Sequence, residues 1–82
     1  MPKLPAVSSI RVIKALTRVG FSIDRQRGSH IVMYRQSDRR TVVVSRRDEV
    51  PRGTLRVILN EAGLTVNEFM ELLLHAHLNS IR

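Results

Sequence analysis

The feature that most constrains this chain is a change of hydrophobic period at Gly20. Before it, Val12, Ala15, Leu16 and Val19 recur at i, i+3, i+4 and i+7, with Ile13 widening the stripe, which predicts a helix over residues 7–20. Ser8 or Ser9 is suited to cap its start, and Gly20 to end it in the left-handed conformation. After it, Phe21 and Ile23 alternate with Ser22 and Asp24, the period of a half-buried strand that stops at Arg27-Gly28-Ser29. Residues 30–35 and the β-branched run 41–45 read as two more strands, separated by a polar turn over 36–40. Three short strands joined by two short turns form an antiparallel meander.

A polar, proline-containing loop over 45–53 follows, and then helical spacing returns. Leu55, Ile58, Leu59 and Ala62 mark a second helix closed by Gly63. Thr65 and Glu68 have the capping-box spacing and open a third helix, whose stripe is Val66, Phe69, Met70 and Leu73, with Leu72 and Leu74 lying off it. Helix, three strands and two helices make an α+β layer fold. The 82 residues hold one domain, with its core over about 7–74 and a C-terminal helical extension.

With no cysteine, the core must hold by packing alone, and thiolate nucleophiles and thiolate zinc sites are excluded. No apolar run approaches the roughly 20 residues that span a bilayer, and the first residues lack the apolar core of a signal peptide, so a soluble cytoplasmic protein is expected. Fourteen basic residues against seven acidic give a net charge of +7, and all but two of the basic residues are arginine, the better fork for phosphate. Twelve of them fall between Arg11 and Arg56, so the front of the chain is cationic and the tail mildly acidic. Such asymmetry points to a polyanionic partner for the front, with Arg11, Lys14 and Arg18 forming a basic ridge on the first helix.

Few chemistries fit this inventory. The carboxylates are scattered, and His75 and His77, two apart on a helix, point to different faces, so no metal site and no cofactor are expected. Gly28 lacks the neighbours of a phosphate loop, and no serine-hydrolase elbow is present. There remains His30, the one histidine of the basic front, where a turn enters a strand among Arg25, Arg27 and Arg35. A neutral imidazole can take the proton of an RNA 2′-hydroxyl while arginines stabilise the phosphorane, giving a 2′,3′-cyclic phosphate without a metal. On the residues alone a second reading stays open, in which His30 bonds a backbone carbonyl at a strand edge, Gly28 supplies a positive φ, and Ser29 completes the turn rather than touching phosphate. Tyr34 shares strand parity with His30 and is suited either to stack on a base or to pack.

The series Gly20-Phe21, Arg25-Gln26-Arg27-Gly28-Ser29-His30, Gly53-Thr54-Leu55-Arg56-Val57-Ile58-Leu59 and Ala62-Gly63-Leu64 resembles the HicA toxin family over about residues 7–74. The resemblance implies a double-stranded-RNA-binding-domain-like fold, mRNA cleavage dependent on His30, and inhibition by a HicB-like antitoxin. Arg39, Arg40 and Lys14 join Arg25, Arg27, Gly28, Ser29 and Arg35 as expected RNA contacts. One departure stands out: many members carry a Val-Pro segment with a second histidine after the third strand, where this chain has Val44-Ser45-Arg46-Arg47. Leu72, Leu74 and Leu78 form the expected antitoxin contact, or else close the small core. A non-catalytic RNA-binding module of the same fold and a protein-interaction domain with an acidic partner are the alternatives to a ribonuclease.

Overall fold

The structure, a computed structural model, describes the backbone of residues 4–80 and the side chains of residues 4–74. The elements run α1 (Ser9–Arg18), β1 (Ser22–Arg27), β2 (His30–Arg35), β3 (Arg40–Ser45), α2 (Arg52–Ala62) and α3 (Val66–Ser80), the α+β order read from the sequence. The Ser8 side chain caps α1 by accepting the Arg11 N–H at 3.3 Å. Gly20, at φ 100°, ends the helix with its N–H donating to the Thr17 carbonyl, while the Phe21 N–H donates to the Leu16 carbonyl. That paired closure turns Phe21 into the core, where it is buried.

The sheet has the order β1-β2-β3, antiparallel throughout. Ile31 and Met33 of β2 with Val42 and Val44 of β3 form its buried face. Val12, Ala15 and Leu16 of α1, Leu55, Ile58, Leu59 and Ala62 of α2, and Phe69 of α3 close over it. Both α1 and α2 pack on β3, so the helical layer sits toward that edge and leaves β1 outside its cover. This corrects the reading of β1 as half-buried. All six of its residues are exposed, and Ile23, though paired with the buried Met33, is 55% exposed because no helix reaches it.

The turn before β3 is also one residue shorter than the sequence indicates, because Arg40 pairs with Arg35 and belongs to the strand. Arg39 there holds a φ of 57°. At this end of the sheet a polar clasp fastens the helices. Arg35 donates from Nη1 to the Val19 carbonyl at 2.8 Å and from Nη2 to the Ala62 carbonyl at 3.3 Å, and its guanidinium lies 4.6 Å from the Phe21 ring centroid. Arg40 donates to the Glu61 carbonyl at 3.0 Å, and the Asp38 carboxylate accepts from both arginines. The carbonyl-bearing ends of α1 and α2 are thus met by positive charge, the favourable sign for a helix C-terminus.

The opposite end is tied by the Ser9 hydroxyl and by backbone. Buried Ser9 accepts the Arg47 N–H at 2.9 Å and returns its own hydroxyl to the Arg47 carbonyl at 3.0 Å, while Val7 bridges Val50. The segment between β3 and α2, polar in composition, is therefore anchored to the start of α1.

Candidate functional site

The strand register places the candidate residues. Across the sheet, Arg27, His30 and Ser45 are direct partners in one row; Arg25, Val32 and Val43 form the next; Ser22, Tyr34 and Thr41 the third. Partners in an antiparallel sheet share a face, with Cβ atoms about 5 Å apart. Because Ile31, Met33, Val42 and Val44 point into the core, these nine residues occupy the open face, away from the helices.

The pairing also shows how two arginines of β1 reach this face. Ile23 pairs with Met33 and Arg25 with Val32, so Asp24 is an extra residue, a β-bulge. With unbroken alternation from Ser22, the outward column of β1 would read Ser22, Asp24, Gln26. The bulge re-phases the strand and turns out Arg25 and Arg27 instead. Neither guanidinium makes a hydrogen bond or ion pair with any described residue.

Between β1 and β2, Gly28 has a φ of 56° and Ser29 a negative one, the pattern of a type II′ hairpin turn. The Gln26 side-chain amide donates to the Gly28 carbonyl at 3.3 Å, and the Arg46 N–H to the Ser29 carbonyl at 2.7 Å. His30 thus begins the central strand, held on both sides by ladder pairing and by a tied turn. Its imidazole is exposed and has no hydrogen-bond partner among the described residues. The strand-edge reading, in which this ring bonds a backbone carbonyl, has no such carbonyl here.

Of the expected RNA contacts, the fold gathers Arg25, Arg27, Gly28 and Ser29 around His30. It does not bring Arg35, Arg39 and Arg40 there. These lie at the far end of β2 and β3, about 16 Å away over five strand residues, and the guanidinium groups of Arg35 and Arg40 are engaged in the clasp. Lys14 is exposed on α1, in the helical layer behind the sheet. Sequence names Ser45 and Arg46 only within the divergent Val44-Ser45-Arg46-Arg47 segment and not as RNA contacts; in the structure Ser45 is the direct partner of His30 and Arg46 is bonded to Ser29. Counting the second hairpin back from its turn would have found them.

Among the described residues no three His, Cys, Asp or Glu side chains come together as metal ligands, and no helix is long and apolar enough to cross a membrane. Of the expected partner contact, Leu72 packs partly against the core and lines an open groove of about 480 Å³ with Val19, Leu64, Asn67, Glu68 and Glu71. Leu74 is 69% exposed, and the Leu78 side chain lies outside the described residues. Leu72 is therefore not surplus to the stripe, because α3 packs with both α1 and α2 and buries a wider face than one stripe.

Fold and site together define a small α+β protein that offers a histidine and free arginines on the open face of a three-stranded sheet. Residues 11–64 match the family model described as the HicA toxin of bacterial toxin-antitoxin systems, and that match covers more than half of the chain. The chain belongs to the HicA toxin family. Among curated proteins none matches it.

Proposed function

We propose that the chain is an endoribonuclease that cleaves mRNA without a metal ion, with His30 as its catalytic residue, and that a HicB-like antitoxin holds it in check. The observation that carries this reading is the His30 imidazole, exposed and without a hydrogen-bond partner among the described residues, on the central strand beside Arg27. The family supplies the context of a toxin with an antitoxin partner.

In this reading a phosphodiester lies across the His30 row with its bridging phosphate against Arg27 and Arg25. His30 takes the proton of the 2′-hydroxyl as that oxygen attacks phosphorus. The arginines offset the charge that builds on the phosphorane oxygens. The bond to the 5′-oxygen then breaks, and that oxygen takes a proton from solvent to leave as a 5′-hydroxyl, while His30 returns the proton it accepted to solvent. The other product is a 2′,3′-cyclic phosphate.

His30→Ala is expected to relieve growth arrest and to lower cleavage by roughly 10²- to 10⁴-fold, the usual share of a general base, while RNA binding and unfolding temperature hold. Cleavage by the wild type should persist in EDTA. Ordinary 3′-hydroxyl ends on the products, or full cleavage by His30→Ala, would sink the mechanism. Retained RNA binding with no cleavage by the wild type would instead indicate a non-catalytic RNA-binding module.

A further inference from the structure

The open face of the sheet has a chemical order that the His30 reading does not use. Its β1 column is Ser22, Arg25, Arg27; its β2 column Tyr34, Val32, His30; its β3 column Thr41, Val43, Ser45. One border is cationic, the middle carries an aromatic ring and a branched side chain leading to the histidine, and the other border carries two hydroxyls around an apolar centre. Val43 is 44% exposed, and Val32 and Tyr34 are half-buried, so the apolar strip stays accessible. Tyr34 lies four residues from His30, about 13 Å along the strand, which is room for several stacked bases at a rise of roughly 3.4 Å.

We propose that this face is a track for an unpaired RNA strand, in which a base stacks on Tyr34 while the backbone follows Arg25 and Arg27 to the phosphate cleaved at His30. The inference rests on the ribonuclease reading and adds the form of the substrate. Three features favour a single strand over a duplex. Accessible aromatic and branched side chains, here the half-buried Tyr34 and Val32 and the exposed Val43, suit the flat faces of bases, which a duplex hides in its stack. On this face the arginines form one column rather than two lines set a groove apart. The Asp24 bulge turns that column to the same face as Tyr34 and His30, whereas the basic ridge of α1 belongs to the helical layer. Tyr34 is on this view a positioning and specificity residue, since it holds a base away from the bond that breaks.

The chain has one tyrosine and no tryptophan, so its intrinsic emission reports on Tyr34 alone. The test titrates His30→Ala protein, which leaves RNA intact, with a single-stranded oligoribonucleotide and with the duplex of the same sequence. Expected are quenching of tyrosine emission by the single strand, tighter binding of the single strand than of the duplex, a loss of about tenfold in affinity on adding Tyr34→Ala, and recovery with Tyr34→Phe. In the catalytically intact background Tyr34→Ala should raise KM for a long RNA more than it lowers kcat. Unchanged emission and affinity, or preference for the duplex, would overturn the proposal. Because binding is read without cleavage, a platform that binds through Tyr34 in a protein that never cuts RNA would condemn the nuclease reading alone, and His30-dependent cutting with a silent Tyr34 would condemn this inference alone.

Discussion

Arg35→Ala separates the two uses to which this chain puts its arginines. Sequence places Arg35 among the RNA contacts, whereas the fold spends its guanidinium on the Val19 and Ala62 carbonyls and on the face of Phe21. The 2.8 Å bond to Val19 is short and charge-assisted and contributes about 1.5 kcal/mol; the 3.3 Å bond to Ala62 adds about 0.5 kcal/mol. Stacking over Phe21 adds about 1 kcal/mol. Water screens the ion pair with Asp38, whose carboxylate is 39% exposed. Truncation to alanine should therefore cost about 3 kcal/mol, against a total stability of about 4 to 12 kcal/mol for a domain this size. In thermal unfolding followed by circular dichroism that corresponds to a fall of roughly 12 to 24 °C. RNA affinity measured well below the transition should equal that of the wild type, since the clasp is about 16 Å from His30. A melting point within a few degrees of wild type together with weakened RNA binding would refute the assignment and return Arg35 to the substrate.

Hydrogen bonds from Arg35, with Arg40 assisting, hold the Asp38 carboxyl down to about 2 from its ordinary 3.8, so its contribution to stability is complete above 3.8 and disappears as pH falls toward 2. Glu68, lowered by the Thr65 N–H, acts in the same direction; Asp38→Asn should flatten the acid limb of a melting-temperature-against-pH curve, and an unchanged limb would contradict the clasp. Ser9→Ala leaves the Arg47 N–H without its partner and should lower the urea midpoint by the equivalent of about 1 to 3 kcal/mol, with faster amide exchange at Arg47 than in the wild type. Gly28→Ala meets no neighbour within 4 Å, so its penalty is a positive φ of 56°, about 1 to 2 kcal/mol of stability, which chemical denaturation should register; an unchanged midpoint would contradict the turn geometry.

Element order, helix caps and the core were legible because each rests on local periodicity or on a residue with special backbone freedom. Val12, Ala15 and Leu16 announce their burial by spacing, and Gly20 and Gly63 announce helix ends by their tolerance of positive φ. The face of β1 was not legible. Period-two alternation from Phe21 and Ile23 runs on to Arg25 and Arg27 and would place all four on one side, a conflict that only the Asp24 bulge resolves. A bulge leaves no reliable mark in sequence; a clash of parity such as this one is the available signal. The roles of the arginines were equally hidden, because the same residue type serves as a helix clasp at Arg35 and Arg40 and is left free at Arg25 and Arg27. Charge count measures neither. Which carbonyls a guanidinium can reach depends on where α1 and α2 end, and that is set by long-range packing.

The two ends of the molecule therefore differ in a way that bears on how the site works. Both α1 and α2 run from the His30 end to the clasp, since Ser9 meets Arg47 beside the Ser29 turn while Val19, Glu61 and Ala62 meet Arg35 and Arg40. Their carbonyl-bearing, negative ends are compensated by bound guanidinium groups, and their positive ends, each equivalent to roughly half an elementary charge, lie toward His30. Neither first turn contains an acidic residue to cancel that charge. The helical layer thus biases the potential in the same sense as Arg25 and Arg27, although it never touches the open face. Neutralising the clasp costs stability, whereas neutralising Arg25 or Arg27 removes charge the fold does not need. A chain that keeps cations of the second kind on one face of its sheet pays for them in self-repulsion, and a phosphate backbone passing His30 is the ligand that relieves it.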